Sequence, residues 1–129
     1  MIDSDILLIY LYPVLFLILG IIFKIIKPKY PPTGKNPLNS GICLSSALKS
    51  EDHWDYAQHV GSNMLILGSL ITFTIGTVEN ILYLKDIISP MVYKILSVSS
   101  NSLILVFGLL LLNNKVKNLP TTRNGSEDN

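Results

Sequence analysis

The chain holds a single cysteine, two histidines and one tryptophan among 129 residues, and only 15 % of it is charged. One cysteine closes no internal disulfide and builds no cysteine-rich zinc site, which excludes a disulfide scaffold and a zinc ribbon. Ten basic against nine acidic residues leave a net charge of +1, too little to gather nucleic acid. A soluble domain carries about 25 % charge. Here hydrophobic residues fill the deficit, at 49 % of the chain, and the mean hydropathy is +0.46. These shortages disfavour a soluble enzyme and point to a small integral membrane protein.

What is present is three long apolar runs. Residues 6–23 (ILLIYLYPVLFLILGIIF) and 95–112 hold no charge across 18 positions each, and residues 60–78 hold none across 19. A helix rising about 1.5 Å per residue needs about 20 residues to cross a hydrocarbon core of about 30 Å, so each run can span. Continuous runs are not barrel strands, and they lack the polar face of helices in a soluble bundle. The expected fold is all-α, an integral membrane protein with three transmembrane helices at about 6–26, 61–82 and 91–112. They form one domain over 1–119, and the polar end 120–129 (PTTRNGSEDN) reads as a disordered tail. The first run starts acidic (Asp3, Asp5), unlike a secretion signal, and is expected to be a retained helix in which Pro13 removes one backbone donor and introduces a kink.

Basic loops stay cytoplasmic. The first loop carries Lys24, Lys27, Lys29, Lys35 and Lys49, and the C-terminal end carries Lys115, Lys117 and Arg123. The second connection has only Lys85 and Lys94. The expected placement is therefore the cell membrane, multi-pass, with the N-terminus outside and the C-terminus cytoplasmic.

Proline makes the first part of loop one (Lys27-Pro28-Lys29-Tyr30-Pro31-Pro32) extended or turning. Ser50 then reads as a helix cap, with Glu51 and Asp52 in the first turn where the dipole favours acids. A cytoplasmic loop helix from Glu51 to about His59 is expected to lead into the second span, with Trp54, Ala57, Gln58 and Gly61 on one face. Trp54 and Tyr56 fit the membrane interface, and the lysines fit anionic headgroups, although setting topology is the simpler role.

The stretch 36–59 (NPLNSGICLSSALKSEDHWDYAQH) resembles the signature loop of the SdpI family, immunity proteins of the sporulation-delay toxin system. Pro31-Pro32, Asn36, Gly41-Ile42, Leu48-Lys49-Ser50, Asp52, Trp54 and Ala57 fall in the family's register without a gap, within a signature loop of about 31–60. The three-helix layout is similar to the family's short members. Cys43-Leu44 stand where the family usually has Arg-Thr, so an arginine contact to lipid phosphate or a partner is absent. The resemblance implies immunity: protection of the bacterial cell against a secreted, membrane-active antimicrobial peptide of the bacteriocin kind. The partners it implies are the lipid bilayer and a peptide toxin. Asn36, Gly41, Lys49, Ser50, Asp52, Trp54 and Ala57 are the motif residues.

Catalytic and metal chemistry find little support. His53 and His59 lie about 240° apart round a helix and do not converge on one ion, while Asp55 and His59 share a face and can pair. Cys43 reads as an ordinary reduced cysteine. There is no Walker loop, zinc-protease helix or nucleophile elbow, and no enzyme activity or cofactor is expected. Glu79 and Lys94 lie about equally far from the tip of the second connection, so antiparallel helices bring them to similar depth, either as a polar membrane pair or, the favoured reading near helix ends, each snorkelling into water. Ser97, Ser99, Ser100, Asn101 and Ser102, with Thr72, Thr74 and Gly76, suit close helix packing. They also support a second reading, a homo-oligomeric small transporter or channel subunit with Glu79 and Lys94 at its mouth. A third is a membrane scaffold docking a cytosolic partner through the loop.

Overall fold

The computed structural model describes residues 4–30 and 41–120. Asn36, Pro31, Pro32 and the tail 121–129 lie outside the described residues. Among the described residues the protein is all-helical, in the order α1 (Ser4–Ile26), a 3-10 turn (Ala47–Lys49), α2 (Glu51–Leu84) and α3 (Pro90–Lys117). All three α-helices are long and apolar enough to cross a membrane. Only 17 %, 22 % and 11 % of their apolar windows is buried against the chain itself, so most of their apolar surface faces outward.

Helix ends follow local chemistry. Ser50 caps α2, its hydroxyl accepting from the His53 N–H at 3.2 Å, with Glu51 and Asp52 in the first turn. The expected loop helix is not a separate element; it forms the first turns of one 34-residue helix, about 51 Å long. That exceeds a hydrocarbon core of about 30 Å, so α2 has room for both a span and polar turns beyond it. It ends in a Schellman motif, Ile87 N–H to Leu82 O and Asp86 N–H to Tyr83 O, both at 3.0 Å, with Asp86 left-handed at φ 54°. Ser89 and Pro90 start α3, where the Ser89 hydroxyl accepts from the Val92 N–H, and Lys115 and Lys117 sit in its last turn. Helix α1 runs through Pro13 without a break.

Helix α2 is the centre of the arrangement. It packs along both α1 and α3, which barely meet each other. Close approach to α1 depends on Gly20, where a Cβ would fall 2.8 Å from Ile66 Cγ1 and 3.0 Å from the Ser62 carbonyl oxygen. Further along, the Tyr10 and Phe73 rings meet at 5.2 Å. The buried apolar cluster lies at the loop end rather than midway along the helices. Ala47, Trp54, Ala57, Leu112 and Val116 form it, with Tyr30, Ile42 and Leu44 packed against it.

Candidate functional site

The residues after 40 fold back over the start of α2 and the end of α3 as a cap. Its centre is Trp54, which has no exposed surface. The indole N–H donates to the Pro28 carbonyl at 2.8 Å, and the ring meets Tyr30 edge-on at 6.2 Å. The Tyr30 hydroxyl continues the chain of contacts to the Leu48 carbonyl at 3.0 Å. Trp54 therefore does not anchor at a membrane interface. Its amphipathic ring finds both its apolar contacts and its hydrogen-bond acceptor inside the chain.

One turn later Gln58 does what a neighbouring strand would do. Its Oε1 accepts the Ile42 N–H and its Nε2 donates to the Ile42 carbonyl, both at 2.9 Å, which satisfies a backbone that belongs to no helix or sheet. Gly41 makes the approach possible at φ 113°, packed between Gln58 and Pro28. Ser46 adds a tie to α3, its hydroxyl donating to Asn113 Oδ1 at 2.6 Å. Replacing Gln58 by Glu leaves acceptors only. The Ile42 carbonyl then loses its donor and faces an anion, so Gln58→Glu is expected to destabilise by about 2 kcal/mol. Thermal unfolding in detergent measures this, and an unchanged midpoint would mean that the amide does not hold the loop.

The motif residues divide by role. Gly41, Ser50, Trp54 and Ala57 build the cap, whereas Lys49 and Asp52 stand exposed on its surface. His53 is buried with its Nδ1 2.7 Å from Ser50 Oγ, while His59 is exposed on another face. Among the described residues no three His, Cys, Asp or Glu side chains gather to hold a metal ion. Desolvation pushes the Cys43 thiol up from its ordinary value, which keeps it protonated at neutral pH. Pro28, Tyr30 and Asn113 are the site residues to which sequence reasoning gave no role, and Gln58 was placed on the Trp54 face without a partner. The signal for Gln58 was an amide on the Trp54–Ala57 face, since a buried amide must find polar partners.

Because α1 and α3 barely meet, a strip of α2 stays open between them. At the cap end it forms an apolar cavity of about 80 Å³ lined by Phe16, Ile42, Met64, Gly68, Ile104 and Gly108, among others. Ile42, the residue held by Gln58, closes that end. Towards the other end of the bundle Glu79 is buried between α2 and α3 and accepts from the Ser97 hydroxyl at 2.9 Å. Lys94 is exposed one turn before Ser97 and lines a second opening with Tyr12, Tyr93 and Asn101. Compared with known families, curated proteins and solved structures, the chain matches none.

Proposed function

We propose that the protein is an integral membrane protein of the SdpI type that protects its cell against a secreted, membrane-active peptide. The N-terminus is outside, and the cap and the C-terminus are cytoplasmic. The observation that carries this reading is that Gly41, Ser50, Trp54 and Ala57, four of the residues behind the resemblance, are the ones that build the cap. Their neighbour Ile42 closes the apolar groove between α1 and α3. A folded cap over an open apolar groove suits capture of an apolar peptide.

A challenge assay tests this. A sensitive bacterial host expressing the protein should survive higher concentrations of a membrane-active peptide than a host without it. Gly108 gives the discriminating variant, because a Cβ there has nothing within 4 Å. Gly108→Leu should insert normally and fill the groove, with protection falling on the order of tenfold. Lys49→Ala, on the cap surface, should leave it intact. Unchanged sensitivity to every peptide tried, despite normal insertion, would remove the self-protection reading.

Buried Glu79 favours a second reading, a homo-oligomeric transporter or channel subunit. An ionisable group inside a candidate span marks an ion path more often than a packing role. Its neighbour Asn80 keeps a buried Oδ1 that accepts no hydrogen bond. Ion flux into proteoliposomes that disappears in Glu79→Gln would favour this reading over self-protection.

A further inference from the structure

We propose that the opening between the loop-side ends of α1 and α2 binds the phosphate headgroup of an anionic phospholipid. The two helices touch at Gly20, and on the loop side of that contact a cavity of about 330 Å³ lies between them. One water needs about 10–15 Å³ of such space, so a phosphate ester fits. Lys24 and Lys27 of the α1 end and Asp55, His59 and Ser62 of α2 line it, with Phe23 on its apolar side.

The backbone at Lys27 is the unusual feature. Its N–H closes α1 on the Phe23 carbonyl at 3.2 Å, with φ 49°, the left-handed closure that helices normally give to glycine. Glycine enters that conformation freely, and lysine does so only against steric resistance. The closure itself needs no side chain, so a lysine there is explained by what its ammonium reaches. Lys24 Nζ is held 3.1 Å from Asn63 Oδ1, which uses one of its three protons and leaves two for a phosphate oxygen. Two ammonium groups against the single Asp55 carboxylate match a monoanion, and Asp55 can accept from a headgroup hydroxyl. The depth is right as well. Ile25 and Ile26 are exposed and apolar beside these lysines, at the junction of a candidate span and a polar loop.

The inference rests on the membrane placement proposed above and is independent of self-protection. Thermal unfolding of the full chain in neutral detergent tests it, with added phosphatidylglycerol, phosphatidylcholine, phosphatidylethanolamine or inorganic phosphate. Phosphatidylglycerol is expected to raise the midpoint saturably and the other three to leave it nearly unchanged. Lys27→Gly should keep or raise the lipid-free midpoint, because glycine relieves the backbone, yet bind phosphatidylglycerol about fivefold more weakly. Lys117→Gln, in the last turn of α3 on the same side of the bundle but outside the lining of the opening, should bind as the wild type does. Equal shifts from the neutral lipids, a full shift from inorganic phosphate, or equal weakening in Lys117→Gln would overturn the site. Release of the chain from membranes by alkaline carbonate would overturn the membrane placement and the site together; retention without lipid preference would overturn the site alone.

Discussion

Trp54→Ala is expected to lower stability by about 3–5 kcal/mol, the range for truncating a buried aromatic ring to a methyl group. The ring has no exposed surface and sits where three parts of the chain meet: the exit from α1, the folded loop and the first turns of α2. Its removal leaves a cavity and strips the Pro28 carbonyl of its donor at 2.8 Å. Tyr30 loses its edge-on partner and with it the support for its bond to Leu48. Trp54→Phe separates the contributions, since it keeps most of the apolar contact and loses only the indole N–H, for about 1–3 kcal/mol. Circular dichroism during thermal unfolding in detergent is the suitable probe, because both variants lack the protein's one tryptophan. A loss below about 1 kcal/mol for Trp54→Ala would mean that the loop is not held by this ring.

The helices were legible in the sequence because their cause is local. An uncharged run of 18 or 19 residues carries its own periodicity and length, and Ser50 marks the start of α2. The far ends were less so. The start of α2 at Glu51 was readable from Ser50 and the acids after it, but the third span, expected to end at about 112, continues as α3 to Lys117. The cap was hidden for a different reason. Trp54 meets Pro28 at a separation of 26 residues and Gln58 meets Ile42 at 16, and residue type says nothing of which distant backbone will arrive. An aromatic ring with one polar atom looks the same whether that atom meets a headgroup or a carbonyl. In the second hairpin, counting from the tip drew attention to Glu79 but not to Ser97, whose hydroxyl meets the Glu79 carboxylate across α2 and α3.

Gly41→Ala should cost about 3 kcal/mol, although it adds a single methyl group to a half-buried position. Two independent effects add. At φ 113° the backbone occupies a region that L side chains rarely adopt. The new Cβ would also lie 2.5 Å from Gln58 Oε1 and 2.8 Å from Pro28 Cγ, and neither neighbour can yield cheaply. Gln58 is bonded at both ends to Ile42, and the Pro28 carbonyl is fixed by Trp54. Relief therefore requires that Gln58 swing away and leave two backbone groups of Ile42 without partners. Because the strain is partly relieved through Gln58, Gly41→Ala and Gln58→Ala combined should lose less than the sum of the single changes. Unfolding midpoints of the two single variants and the double variant measure that coupling, and strict additivity would show that the glycine and the amide act separately. The same cycle bears on function, since Ile42 lines the apolar groove as well as the cap. If the groove captures a peptide, Gly41→Ala should weaken protection even at temperatures where the chain stays folded, because the residue that closes the groove is no longer held. Full protection in a folded Gly41→Ala variant would separate the cap from the groove and leave the loop with a purely architectural role.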